Sequence, residues 1–282
     1  MSAVKISINL TTTSERLDLC SATIWSFINQ SLTPDAINLW VSRTSFMADN
    51  GIEIEPDWIS YFNKFNNILK IRYVDNTGPY RKFMPILQET TVESDIIVYA
   101  DDDVIYGRYW LEKLITKFKK YDGKYVVASR VRIKKYNVFK KAQSYNMYPV
   151  CSKDTIIKSD YIITGVGGAV FQKSQIRNDL IGIDKYKEIC PRTDDLWISK
   201  LFELSGNSVC VCTEALNDVR EIQHASNSLN SMNVYHTNHI GVIKIIAKIR
   251  SKILGYLGVS LSENDHAMKK IERFFSKYKK QS

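Results

Sequence analysis

The sequence predicts an α/β fold, a mostly parallel sheet flanked by helices and followed by an amphipathic helical tail. Three observations carry this expectation. Short β-branched runs alternate along the chain with amphipathic stretches at helical spacing, the signature of strand–helix–strand crossovers. One run, Ile96-Ile97-Val98-Tyr99-Ala100, is apolar at every position, as a central strand buried on both faces requires. The 282 residues are 44% apolar and 24% charged, enough to bury a large core and too apolar to remain disordered.

Val4 to Leu10 reads as the first strand. Thr12-Thr13-Ser14-Glu15 has capping-box spacing, and Leu17, Cys20, Ile24, Phe27 and Ile28 recur on one helical face behind it. Asn38 to Val41 is a second strand, Trp58 to Leu69 a helix and Ile71 to Val74 a third strand. Gly78-Pro79 opens another helix, since Pro is tolerated where the first-turn N–H lacks a partner anyway. After the central strand, Trp110, Leu114, Phe118 and Tyr121 mark the buried side of a helix, and Tyr125 to Ser129 is strand-like. Lys134 to Tyr148 is basic and aromatic without a period and reads as a loop. Tyr161 to Thr164 leads through Gly165-Val166-Gly167-Gly168 into an apolar run ending at Phe171. A helix begins near Thr193, and Val209 to Val211 is the last strand.

The net charge of +9 is concentrated in the tail: from Ile240 onward ten basic residues face three acidic ones, which leaves residues 1–239 nearly neutral. That distribution excludes a basic globule built around nucleic acid. Five cysteines with no repeated C-x-x-C spacing exclude a disulfide framework or a zinc cluster, and Cys210 and Cys212 read as small buried hydrophobes. No secretory leader pattern opens the chain and no apolar stretch reaches the roughly 20 residues of a spanning helix, so the expectation is cytoplasmic. The chain divides into a catalytic domain at 1–239 and a basic amphipathic tail at 240–282.

Asp101-Asp102-Asp103 ends the central strand abruptly. Crowded like charges raise one another's pKa and destabilise the fold unless a cation neutralises them, which predicts a divalent metal. In extended backbone Asp101 and Asp103 point to one side and Asp102 away. Oxygen ligation by few protein groups suits Mg2+ or Mn2+ shared with substrate phosphates. An acidic turn before a helix gives the same residues a purely local explanation. Arg81 and Lys82 fall in the first turns of the helix opened by Gly78-Pro79, a position suited to diphosphate oxygens or to a solvated basic pair. Gly165, Gly167 and Gly168 interrupt an apolar segment, where glycine is costly unless a bend or close approach requires it. Neither a dinucleotide fingerprint nor a P-loop is present.

V-Y-A-D-D-D-V at Val98 to Val104, with the later G-V-G-G and T-D-D-L-W segments, resembles the GT-A-fold glycosyltransferases of the bacterial family 2 type over roughly residues 3 to 215. The resemblance implies a Rossmann-like GT-A sheet and an enzyme that moves a sugar from a UDP-linked donor. It implies that Asp101 contacts the nucleotide sugar and Asp103 holds the metal, with Asp102 sharing or supporting both roles. Thr11, Thr13 and Arg16 match the nucleobase and ribose contacts, and Asp75 and Asn76 another nucleoside contact; Thr11 and Asp75 serve equally as cap or turn residues. Lys82 faces the diphosphate, and Gly167 and Gly168 border the donor and acceptor sugars. Asp195 is the implied base with Asp194 its partner, although acids at a helix start are also favourable charges in their own right. This pair has Asp where the family's more often begins with Glu. His236 and His239 lie in a polar loop where such enzymes supply a C-terminal metal or diphosphate ligand, and His224 precedes them in a Ser/Asn-rich segment of lid type; each also reads as a plain surface-loop histidine. With Asp195 as base a single displacement inverts the anomeric centre; some D-x-D enzymes on this fold retain it, so both outcomes stay open.

In the tail, Val242, Ile245, Ile246, Ile249, Ile253, Tyr256 and Leu257 share one helical face opposite Lys244, Lys248, Ser251 and Lys252. That pattern suits a helix lying at an anionic membrane surface or one docked on the catalytic domain. The expected partners are therefore a nucleotide sugar, a glycan acceptor of a bacterial surface polysaccharide or lipid-linked oligosaccharide, and the inner face of the cytoplasmic membrane, with no nucleic acid. The rival expectation is a noncatalytic protein that binds anionic lipid or nucleic acid through the tail.

Overall fold

The computed structural model describes residues 4–222 and 242–276, with side chains in the second stretch from 249 onward. Strands β1 (Ile6–Thr11), β2 (Ala36–Val41), β3 (Leu69–Tyr73) and β4 (Ile96–Tyr99) are mutually parallel in the order β3-β2-β1-β4. The sheet continues through β10 (Ala169–Gln172), antiparallel to both its neighbours, then β6 (Val126–Ala128), β11 (Val209–Val211) and the short edge β8 (Ile156–Ile157). Two small ribbons lie beside it: β5 (Val104–Tyr106) with β12 (Val219–Glu221), and β7 (Val131–Ile133) with β9 (Tyr161–Ile163). The expected mostly parallel α/β sheet of GT-A type is what the chain forms.

Helices α1 (Leu17–Ile28), α2 (Asp57–Asn63), α3 (Met84–Glu89), α4 (Trp110–Lys120), α5 (Asn178–Ile181), α6 (Tyr186–Ile189), α7 (Asp194–Leu204) and α8 (Thr213–Leu216) accompany the strands, and α9 (Val242–Tyr256) and α10 (Glu263–Phe275) follow. The period of two in β4 explains how both faces are covered. Ile96, Val98 and Ala100 join the core under α1 and α4, while Ile97 and Tyr99 join the core containing α3, α7 and α10. The buried Asn9 stitches the centre: its Oδ1 accepts from Asn38 Nδ2 and Trp40 Nε1, each at 3.0 Å, and its Nδ2 donates to the Val98 carbonyl. Since β1 to β4 run parallel, their carboxyl ends share one rim, where α/β sheets bind ligands.

The structure departs from several sequence expectations. Thr13 precedes a short 3-10 turn at Ser14–Arg16 without a side-chain cap bond; the capping-box reading fails because Thr12 instead donates to Asp102. The helix expected to reach Leu69 stops at Asn63, whose side-chain amide pairs with both backbone groups of Leu69 and so starts β3 early. Gly78-Pro79 opens a 3-10 turn, Gly78–Lys82, with α3 starting afterwards. Val209–Val211 is followed by a further strand, β12.

The 134–148 loop folds back at the Tyr136–Ala142 bridge and is tied to the C-terminal helices: Ser144 N–H donates to the Gly255 carbonyl, and Asp265 accepts from Ser144 Oγ at 2.7 Å and from Tyr145 N–H at 2.6 Å. The tail behaves as two helices with different fates. Ala267, Ile271 and Phe275 of α10 are buried in the main core, with the Phe275 ring 4.7 Å from that of Trp197. In α9, Ile249 and Ile253 are more than half exposed. The boundary drawn after residue 239 lies outside the described residues. No helix among the described residues is long and apolar enough to cross a membrane.

Candidate active site

At the rim, the ends of β1 and β4, the 3-10 turn before α3, the Thr164-Gly165 turn and the start of α7 enclose a cavity of about 780 Å3. Beneath it, charges are paired closely. Lys82 Nζ lies 2.5 Å from Asp101 Oδ1 and 2.8 Å from Asp194 Oδ2. Burial alone would lower the Lys82 ammonium, but Asp101, Asp194 and Asp195 outweigh it and hold it well above its ordinary value. Arg16 Nη2 lies 2.6 Å from Asp102 Oδ1 and 2.9 Å from Asp103 Oδ2. The alternation expected of an extended chain, with Asp102 turned away from its neighbours, therefore does not hold. The chain bends after β4, so one guanidinium spans Asp102 and Asp103 while Asp101 turns to Lys82. Burial pushes Asp102 up to about 6 despite Arg16 and the 2.6 Å hydrogen bond from Thr12.

Thr193 occupies the N-cap of α7 without a side-chain cap bond, so the two acids of the first turn and the Gly165 turn organise that end. Asp195 Oδ1 accepts from Gly165 N–H at 3.0 Å. Although Asp195 stands in the first turn of α7, where the helix dipole favours a carboxylate, burial and the adjacent Asp194 dominate and hold its carboxyl well above the usual range. Glycine at 165 leaves room for the neighbouring Lys82–Asp101 pair, because a Cβ there would sit 2.2 Å from Asp101 Oδ1 and 2.7 Å from Lys82 Nζ.

Of the residues singled out in the sequence, Thr11, Thr13, Arg16, Lys82, Asp101, Asp102, Asp103, Asp194 and Asp195 line this cavity. Asp75 and Asn76 do not; Asp75 is exposed, and Asn76 braces a neighbouring loop by donating to the Thr44 carbonyl at 2.6 Å and to Asp49 Oδ2 at 3.2 Å. Gly167 and Gly168 are also off the lining. The Gly167 carbonyl accepts from Trp110 Nε1 and Ser129 Oγ, and Gly168, at φ +74°, lies so close to Trp110 that a Cβ would come within 2.3 Å. Arg81 is 1% exposed and its three nitrogens are committed to Thr11 Oγ1, Asp49 Oδ2 and the Thr12 carbonyl, which removes it from phosphate binding. His224, His236 and His239 lie outside the described residues.

Sequence reasoning passed over Asp49, Arg130, Arg132, Tyr145, Arg192 and Asn264, all on the lining. They come from loops and element ends without periodicity; the one available signal was the buried-type spacing of Arg130 and Arg132 on either side of Val131.

Five carboxylates, Asp101 to Asp103 with Asp194 and Asp195, face two close cations, Lys82 and Arg16, so negative charge is in excess on the cavity floor. A hard divalent cation fits that oxygen-only donor set. Among the described residues no three His, Cys, Asp or Glu side chains form a ready metal cage.

A family model for glycosyl transferase family 2 matches residues 12–174. No curated protein matches the chain. Among solved structures it is similar to S. aureus TarS 1-349 in complex with UDP, at 14% identity over 75% of this chain and 58% of that one with a TM-score of 0.49. It is also similar to GalNAc-T7 with UDP, GalNAc and Mn2+, at 11% identity over 98% of this chain and 55% of that one with a TM-score of 0.52. The chain thus spans little more than half the length of either. The family match covers more than half of the sequence and includes the acidic end of β4, and the fold is that of GalNAc-T7. The chain belongs to glycosyl transferase family 2.

Proposed function

We propose that this glycosyltransferase moves a sugar from a UDP-linked donor to a hydroxyl of a bacterial surface polysaccharide or lipid-linked oligosaccharide, with dependence on Mg2+ or Mn2+. The carrying observation is the cluster of five carboxylates on two cations at the ends of β4 and α7, set on the sheet rim. That TarS was solved with UDP and GalNAc-T7 with UDP and Mn2+ supports the choice of donor and metal. Asp103 and Asp101 would hold the metal, which when bound supplies Lewis-acid neutralisation of the departing diphosphate. Thr11, Thr13 and Arg16 border the nucleoside, and Lys82 fixes Asp101 and Asp194 in register. Asp195 accepts the proton of the acceptor hydroxyl, its Oδ1 oriented by Gly165 N–H. Its raised pKa makes it a stronger base than an exposed carboxylate, and a single displacement through it inverts the anomeric centre. Membership of an enzyme family sets aside the reading of this chain as a noncatalytic binding protein.

The test is thermal: Mn2+ and UDP together raise the melting temperature, with about 2.7 kcal/mol of stabilisation at 100 times the Kd. Asp103→Ala abolishes the gain. An equal gain in that variant, or none in the unaltered protein, sinks the reading.

A peripheral membrane contact completes the proposal. Val138 and Phe139, each 78% exposed, cap the 136–142 turn, and the turn is joined to α9 by Asn137 Nδ2 donating to the Tyr256 carbonyl. Ile249, Ile253 and Tyr256 are exposed on α9 and Leu257 just after it, and the exposed Lys135, Lys140, Lys141, Arg250 and Lys252 accompany the two apolar groups. Apolar tips among cations suit an anionic lipid surface. Val138→Asp with Phe139→Asp should lower flotation with anionic liposomes at least tenfold; unchanged flotation removes the membrane from the proposal.

A further inference from the structure

The cations lining the cavity fall into two groups. Arg16, Arg81 and Lys82 each lie within 2.9 Å of a carboxylate and are at most 15% exposed. Arg130, Arg132 and Arg192 are held differently. Arg130 Nη2 is 3.9 Å from Glu221 Oε1, and Arg192 Nη1 is 3.6 Å from Glu263 Oε1, with both acids well exposed. Arg132 Nη1 donates to the Tyr148 carbonyl at 2.8 Å, its guanidinium lies 5.1 Å from the Tyr145 ring centroid, and its buried Nε has no hydrogen-bond partner.

Arg130 and Arg192 are nevertheless tied by the backbone to the segments that carry Asp195. The Arg130 carbonyl accepts from Thr164 N–H at 3.1 Å, the residue before the Gly165 that binds Asp195. Arg192 precedes Asp194 by two residues. Tyr145, on the same wall, feels the negative charges of Asp195 and Asp194 and the positive charges of Arg132 and Arg130. All these groups line one cavity. A planar guanidinium matches a carboxylate or phosphate through paired N–H groups, and loosely paired guanidinium groups in a partly buried wall gain most from such a ligand.

We infer that the acceptor glycan carries an anionic group, a carboxylate or a phosphate, close to the hydroxyl that reacts, and that Arg130, Arg132 and Arg192 receive it. The inference rests on the transferase reading above, in which Asp195 faces the acceptor. It assigns the donor diphosphate to the metal side of the cavity and the acceptor's charge to the arginine side.

The experiment measures binding of methyl glucuronide, glucose 6-phosphate and methyl glucoside to the full chain saturated with UDP and Mn2+. One or both anions should bind at least tenfold more tightly than the neutral glucoside, and the stronger of the two identifies the carboxylate or the phosphate as the source. Arg132→Gln combined with Arg192→Gln should erase that preference while leaving UDP affinity within twofold. Arg192→Gln alone, at a position 42% exposed, keeps the test open if the double variant misfolds, with a partial loss of preference expected. Equal binding of charged and neutral sugars overturns the inference. So does a tenfold loss of UDP affinity in the variants, which would assign the arginines to the donor. Failure of the transferase reading shows separately, as absence of UDP–Mn2+ binding by the unaltered protein, and removes this inference with it.

Discussion

On the side of the cavity built by β1, β4 and the turn before α3, cations and acids are clamped together: Arg81 on Asp49 at 2.8 Å, Lys82 on Asp101 at 2.5 Å, Arg16 on Asp102 at 2.6 Å. On the side built by β7, the turn before α7 and the start of α10, Arg130 and Arg192 stand 3.9 and 3.6 Å from their nearest acids. Buried pairs are costly to desolvate and costlier to break, so the first side is a preset support whose geometry precedes any ligand. Solvated pairs at long distance contribute little, so the second side holds charge that a ligand can use.

Asp195 lies where the two sides meet, and the largest expected effect belongs to it. Asp195→Asn should lower kcat by roughly 10²- to 10⁴-fold, or about 3–5 kcal/mol in the barrier, because the amide cannot accept the hydroxyl proton. UDP affinity should be retained if, as proposed, the side chain serves the acceptor. Steady-state release of UDP from a nucleotide sugar measures it, and a loss below fivefold would move the base elsewhere.

The sides should also respond differently to losing an acid. Asp49→Ala leaves the Arg81 guanidinium buried and unpaired and should cost about 3–5 kcal/mol in urea unfolding. Glu221→Gln, opposite Arg130, should change stability by less than about 0.5 kcal/mol. Comparable losses at the two positions would erase the distinction between clamped and available charge.

That distinction was only half legible in the sequence. The acid triplet could be read because an apolar run of β4 length ends in charge, and α1 and α4 because their apolar positions repeat at helical spacing. Asp49, Arg81 and Arg132 could not be read in their roles. Composition rules put charge outside, whereas Arg81 and Asp49 are 1% and 3% exposed because each neutralises the other across 32 positions of sequence. Asp102 was misplaced for a related reason: alternation holds within a strand, and β4 ends at Tyr99.

A pH profile sharpens the contrast at the acceptor side. Burial and Asp194 raise Asp195, so activity should fall on acidification at a pH above the ordinary carboxylate range. Asp194→Asn removes the like charge and leaves more of Lys82 to Asp195, so the acid limb should move to lower pH while the maximal rate changes less. A limb that stays in place would show that burial alone sets it.

The smallest effect concerns what holds the open side in shape. Asp265 of α10 fixes Ser144 and Tyr145, and α10 is itself anchored where Glu272 meets Lys200 at 3.0 Å and Lys134 at 3.3 Å, with Glu203 2.7 Å from Lys200. Burial would raise Glu203, but Lys200 and Lys134 outweigh it and hold its carboxyl below the ordinary value of 4.5. A depressed acid stabilises the fold above its unfolded pKa and loses that contribution as pH falls through the folded one. Lys200 is raised, so its contribution is complete below 10.5 and is lost only as pH rises through its folded value. The Glu203–Lys200 pair is therefore intact between those limits and weakens on the acid side by on the order of 1 kcal/mol, Glu203 being 22% exposed and partly screened. Urea midpoints between pH 6 and 3 should fall less steeply for Glu203→Gln than for the unaltered chain. Coincident curves would show that Glu203 adds nothing to the pH dependence of stability.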